Sequence, residues 1–217
     1  MGQEIVYCFK CSSRIVGPGS AKGAVTIGDR AAALKKSLEA AVFAPFRQGA
    51  DGIVCVEAEH FSSRADAGGH SWTPVQQSAG FEGDGAMAGL PNDGTQFMAD
   101  YAAKSPRMDY RREFVKTGLH YLWARASVET GADNSVHAGL DGEPVPSLGH
   151  VAYSATNKWV WTNKQKDGKS VAVTIATPGL HAIQLWIRED GAVIDRFVLT
   201  SDPKWGPKGN GPPESPR

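Results

Sequence analysis

Cysteine is scarce, with three in 217 residues, too few and too odd a number for a disulfide framework. An excess of either charge is absent: 23 basic and 23 acidic residues give a formal net charge of zero. No broad basic field is available to draw in nucleic acid or anionic lipid, so neither partner is expected. No apolar run is long enough to cross a bilayer, so no membrane span is expected. The opening MGQEIVYCFKC lacks the charged-then-apolar pattern of a signal peptide. Catalytic motifs are equally thin. No serine sits in a Gly-x-Ser-x-Gly elbow, and the glycine-rich GDGAMAG precedes no recognisable helix that could cradle a phosphate. His137 and His181 fall within strand-like runs, where a structural hydrogen bond is the expected role.

What is present is a globular composition, 41% hydrophobic and long enough for a substantial core. Residues 1–28 combine Cys8 and Cys11, as Cys-Phe-Lys-Cys, with the turn-rich GPGSAKGAVTIGD. That cysteine spacing is half of a zinc-ribbon site, but no Cys or His follows between Ser12 and Gly52 to complete it. The segment therefore reads as a degenerate zinc-ribbon-like module without metal, as one half of a zinc site shared by two chains, or as a disordered leader. Bound zinc is not expected. Cys55 reads as a buried free thiol.

Residues 29–52 read as a connecting helix and hinge. Asp29 is placed to cap RAAALKKSLEAAVFAPF, which is rich in helix formers, Pro45 marks the end, and Gln48 to Asp51 form a polar hinge. From 53 to 201 the grain changes to short β-branched and aromatic runs punctuated by Gly, Asn, Asp and Pro. VCVEAEH, MDYRREF, HYLWARAS, SVHAGLD, SVAVTIA, HAIQLWIRE and AVIDRFVLT are the strand candidates, and so many short strands indicate an all-β sandwich. Residues 202–217 hold five prolines and three glycines, which predicts a flexible tail without regular structure.

Alternation within these runs places side chains. Leu122, Ala124 and Ala126 share one face of HYLWARAS, with Trp123 and Arg125 on the other; Ile183, Leu185 and Ile187 oppose Trp186 and Arg188 in the same way. Each Trp-x-Arg face is either a platform for flat ligands or a surface covered by another segment. In VCVEAEHF, Glu57 and Glu59 fall on one face, so either that face is wet or something positive lies between them.

The markers VEAEHF, GFEGDGAMAGLPNDG, LHYLWARA, GLDGEP, WVW and LWIREDGAVIDRFVLT occur in that order over about two-thirds of the chain. In this order they resemble carbohydrate-binding modules of the family 6 and family 35 type, especially those within large secreted bacterial proteins. The resemblance implies a jelly-roll, galactose-binding-like β-sandwich, an oligo- or polysaccharide ligand, an extracellular or cell-surface setting and no catalysis. It also implies a structural calcium ion held by Glu57, Glu59 and Asp195, a ligand set that suits a hard cation. Sugar stacking is implied at Trp72, Trp159 and Trp161, with His70 and Asn163 as hydrogen-bonding partners. One departure stands out: Gly191-Ala192-Val193-Ile194-Asp195 lacks the ligand-binding asparagine that many members carry before the Ile-Asp pair. Two alternatives stay open: an interaction module of a larger surface or self-assembling protein, with contact through the N-terminal segment, and a polysaccharide lyase or hydrolase using Glu57, Glu59 or His137.

Overall fold

The computed structural model of the protein describes residues 27–42, 44–76, 80–154 and 157–217. The Cys-Phe-Lys-Cys segment, with its zinc-ribbon reading and its suggested role in self-association, lies outside these residues. The chain divides into two units, Met1–Glu39 and Ala40–Arg217. Helix α1 (Ile27–Val42) coincides with the run of helix formers and stops short of Pro45. It begins two residues before Asp29, which therefore lies in the first turn rather than at the cap. There its carboxylate complements the positive end of the helix dipole.

Among the described residues the second unit holds fourteen strands. The first seven are β1 (Phe46–Arg47), β2 (Ile53–Glu57), β3 (Ser63–Ala65), β4 (Ser71–Val75), β5 (Ala86–Leu90), β6 (Arg107–Phe114) and β7 (Gly118–Ser127). They are followed by β8 (Ser135–Leu140), β9 (Glu143–Pro144), β10 (Val151–Ala152), β11 (Val160–Thr162), β12 (Ala172–Ile175), β13 (Gly179–Ile187) and β14 (Val193–Thr200). A single-turn helix α2 (Tyr101–Lys104) precedes β6. One sheet runs β1-β6-β13-β8-β10, with β3 on β6 and β9 on β8. The other runs β11-β7-β14-β5-β4, with β12 on β7 and β2 on β14. Each of the seven expected strands corresponds to one of these, and the fold is a β-sandwich. Pro74 lies in β4, at the end of its sheet's order, the position in a sheet where proline is tolerated.

The two sheets share one core. Leu122, Ala124 and Ala126 of β7 meet Ile183, Leu185 and Ile187 of β13, all essentially without exposure, as the alternation predicts. The Trp186 side of the Trp-x-Arg pattern is covered, and the Trp123 side only in part. Trp186 is fully buried, with Tyr101 edge-on at 5.5 Å and Gly139 beneath it. A Cβ at Gly139 would lie 2.6 Å from the Trp186 ring and 2.4 Å from the Glu143 carbonyl, so only glycine fits. Trp123 meets Trp205 of the tail edge-on at 6.3 Å.

Two expectations about the margins need correction. The hinge is part of the sandwich: β1 pairs in parallel with β6, and Gln48 is only 5% exposed. Its side chain donates to the Gly52 carbonyl and accepts from the amides of Val115 and Lys116, so a polar residue is fixed by buried hydrogen bonds rather than left in solvent. The tail is also fixed. Its prolines and glycines keep it out of helix and strand, but Ser215 exchanges hydrogen bonds with the backbone of Cys55, and Glu214 accepts from the Glu57 amide at 3.0 Å. The Arg47 amide donates to the Pro216 carbonyl, and the Arg217 guanidinium lies 4.1 Å from the centre of the Phe46 ring. Cys55, buried beneath this contact, has its thiol pushed up to about 12 by burial, so it is an inert free thiol.

Candidate functional site

Strand β11 carries Trp161 to the edge of its sheet, opposite Arg125 of β7, and Trp123 stands two residues along β7. The chain after β10 brings up Tyr153, the turn before it His150, and Asn163 follows β11. These residues line a groove of about 550 Å3, with Lys164 and Gln165 along its rim. Trp161 is half-buried, and its indole N–H donates to the Gly209 carbonyl of the tail at 3.1 Å, which sets the ring's orientation. Two donors in the wall, the Trp123 indole N–H and the buried Tyr153 hydroxyl, have no hydrogen-bond partner. Burial, reinforced by Arg188 and His137, pushes the His150 imidazole down to about 4, so at neutral pH it is an uncharged donor and acceptor. The groove therefore offers aromatic rings beside neutral and cationic polar groups, a combination suited to a polar ligand with an apolar face.

The five residues expected at a sugar site do not come together. Trp161 and Asn163 line the groove. Trp159 is half-buried just ahead of β11, with the Arg125 guanidinium 5.1 Å from its ring centre. Trp72 is a core residue: it is fully buried in β4 opposite Gly89, so its ring packs inside the sandwich instead of facing a ligand. His70 is 95% buried by its 5% exposure and points toward Asp93 and Asp190. His150 and Tyr153 are groove residues that sequence reasoning missed. Trp123 lies on one of the two Trp-x-Arg faces that the alternation offers as a platform for flat ligands.

The three acids expected to hold calcium are each engaged. Glu57 Oε1 is 2.5 Å from Arg196 Nη2, and Asp195 Oδ2 is 2.6 Å from Arg125 Nη1. Asp195 Oδ1 accepts the Glu82 amide at 2.8 Å, and Glu59 Oε1 accepts the amides of Asp84 and Gly85 at 3.1 Å. The positive charge beside these acids thus comes from two arginines. Glu57 Oε2 and Glu59 Oε2 are buried and have no partner. Both carboxyl groups lie against Gly83, where φ is +70° and a Cβ would sit 2.9 Å from Glu59 Oε1 and 3.2 Å from the Glu57 carboxyl carbon. Two orphaned carboxylate oxygens at one turn are what a hard cation satisfies. Among the described residues, however, the ligand atoms of Glu57, Glu59 and Asp195 are not gathered within 4.8 Å of one another.

His137 has neither ring nitrogen free. Nδ1 faces the Gly149 carbonyl at 2.5 Å, Nε2 faces the Phe97 carbonyl at 2.8 Å, and the ring stacks on Tyr101 with centroids 3.7 Å apart. It ties three segments together. His181 likewise spans Asp141 and the Thr177 carbonyl.

A family model described as the glycosyl hydrolase family 115 C-terminal domain matches residues 48–214. An uncharacterized protein, P23, of Formosa agariphila is 26% identical over 199 residues, covering 75% of this chain and 47% of that protein. The chain thus spans about half the length of this curated relative. Among solved structures, a GH26-CBM35 β-(1,4)-mannanase of Podospora anserina superposes with a TM-score of 0.51 at 19% identity, over 72% of this chain and 29% of that one. A CBM35 from Paenibacillus barcinonensis superposes with a TM-score of 0.50 at 15% identity, over 69% of this chain and 99% of that one. The likeness to both is one of fold, and it is the sandwich of a family 35 module.

Proposed function

This chain belongs to the glycosyl hydrolase family 115 C-terminal domain family, and from that premise we propose that it is a non-catalytic carbohydrate-binding module serving a polysaccharide-active enzyme outside the cell. The observation that carries this reading is the groove between Trp123 and Trp161. Aromatic rings suit the C–H face of a pyranose, while His150 and Asn163 supply hydrogen bonds that a sugar's hydroxyls need. The reading also accounts for the absent asparagine before Ile194-Asp195, because the ligand meets a different part of the sandwich. Within the same proposal, Glu57 and Glu59 hold a structural calcium ion through their free oxygens, while Asp195 remains tied to Arg125. The ion's contribution is to neutralise buried carboxylates and brace the Gly83 turn.

The test is affinity electrophoresis and calorimetry against a panel of polysaccharides that includes β-1,4-mannan. Trp161→Ala is expected to weaken the best ligand by about 1–3 kcal/mol, roughly 5- to 150-fold, without lowering the melting temperature by more than a few degrees. Retention of full affinity in both Trp161→Ala and Asn163→Ala would remove the groove from consideration.

A further inference from the structure

His70, Asp93 and Asp190 come from three separate places in the chain: the turn before β4, the loop after β5, and the turn between β13 and β14. Their ligand atoms all lie within 4.8 Å of one another. His70 Nδ1 is 3.0 Å from the Gly68 carbonyl, which can only accept, so Nδ1 carries the proton and Nε2 is left facing the two acids. Nε2 is 3.3 Å from Asp93 Oδ1 and 3.5 Å from Asp190 Oδ2. In a neutral ring this directs a lone pair at two carboxylate oxygens, an arrangement relieved by a proton on the ring or on a carboxyl, or by a cation.

The distances favour the cation. A charge-assisted N–H···O bond closes to about 2.7–2.9 Å, shorter than either separation here. Ligands bound about 2.1 Å from one tetrahedral ion stand about 3.4 Å apart, which lies between the two observed values. The loop holds these oxygens in place: Asp190 Oδ2 accepts the amides of Asp93, Gly94 and Thr95 at 2.7–3.0 Å, and Asp93 Oδ1 accepts the Thr95 hydroxyl at 2.6 Å and amide at 3.1 Å, so an ion would share them with those donors. The Phe97 ring packs edge-on to His70 at 5.5 Å and shields that side. The His70 and Asp190 side chains are 4% and 1% exposed and the Asp93 side chain 54%, so three donors converge with one side open to solvent.

We infer that His70, Asp93 and Asp190 form a second divalent-cation site, taking zinc or a similar transition ion rather than calcium. An imidazole nitrogen with two carboxylates and one open position suits zinc, whereas calcium calls for six or more oxygens. A bound ion adds a cross-link to three segments already joined by the pairing of Ser71 with Leu90 and the bridge between Gln96 and Glu189, so its binding stabilises this end of the sandwich.

The experiment uses the full chain carrying Cys8→Ser and Cys11→Ser, so that the N-terminal thiols take no part. The protein is stripped with a chelator and titrated with zinc by calorimetry and thermal melting, in the presence of excess calcium to keep any oxygen-rich site filled. One equivalent of zinc is expected to bind at micromolar concentration or tighter and to raise the melting temperature. His70→Ala and Asp93→Ala are each expected to weaken binding at least tenfold. Asp93 is exposed, so its variant keeps the fold, as circular dichroism will show, even if His70→Ala does not. Absence of zinc binding, unchanged affinity in a folded Asp93→Ala protein, or displacement of zinc by calcium would each overturn the assignment.

Discussion

Glu57 is a carboxylate under opposing influences. Burial pushes its pKa up to about 7; Arg196 works against that shift, while Asp195, Glu59 and Glu214 reinforce it. For an acid with a raised folded-state pKa, the associated stability is complete below its ordinary value of 4.5 and is lost as pH rises toward about 7. Glu57→Gln cannot ionise, so in chelator its melting temperature is expected to gain on the wild type progressively between pH 4.5 and 7. A difference that stays flat across melts in this range would contradict the assignment of the shift to Glu57. Residues of this kind were only half legible. Alternation put Glu57 and Glu59 on one face, but β2 ends at Glu57 and Glu59 lies in a turn, and no local pattern could announce that Arg125 and Arg196 would supply the charge. Trp72 shows the same limit. An aromatic between polar neighbours, as in Ser71-Trp72-Thr73, reads equally as a ligand platform or a core residue until its strand is assigned a place in the sheet.

At the scale of elements, the unpaired edge of β2 explains the tail. β2 bonds to β14 on one side, and on the other its Cys55 and Glu57 backbone groups are taken by Ser215 and Glu214. An uncovered edge of this kind invites pairing with another chain. Removing residues 212–217 is expected to cost about 5 kcal/mol, from the hydrogen bonds that Ser215, Glu214 and Pro216 make to Cys55, Glu57, His60 and Arg47 at about 1 kcal/mol each, and to promote aggregation. Denaturant melts and light scattering check this, and an unchanged midpoint would show that the tail rests on the edge without supporting it. The hydrogen bond that His60 Nδ1 donates to the Glu214 carboxylate, 2.9 Å long, raises the His60 pKa. Its share of the tail's stabilisation is therefore complete below pH 6.5 and is lost as pH rises through the raised value. Proline and glycine content correctly excluded helix and strand here. It could not exclude a fixed position, because side chains and carbonyls of an irregular segment can still satisfy a neighbouring strand.

For the molecule as a whole, the seven expected strands were legible because each is a run rich in β-branched and aromatic residues bounded by turn formers, which is a local property, even where burial on both faces, as in β8 and β14, removes the two-residue period. The groove and the His70 cluster were not, because each depends on turns brought together from positions such as 70, 93 and 190. Calcium belongs to this scale as well, since Glu57 and Glu59 lie where β2 leaves the sheet it shares with β14. Chelation with EGTA is expected to lower the melting temperature, and calcium at about 100 times its dissociation constant to restore about 2.7 kcal/mol, with polysaccharide affinity unchanged. A melting curve indifferent to both would leave Glu57 and Glu59 with their arginine and amide partners alone.

The pairing of β2 with β14 carries a consequence for biosynthesis. The Arg196 side chain that meets Glu57 lies 139 residues later in the chain. During translation β2 emerges early and waits, its apolar Val54 and Val56 unprotected, until almost the entire sandwich has left the ribosome. Such a domain gains little from folding in stages, and its yield in a cell will depend on how well holdase chaperones shelter the nascent chain over that interval.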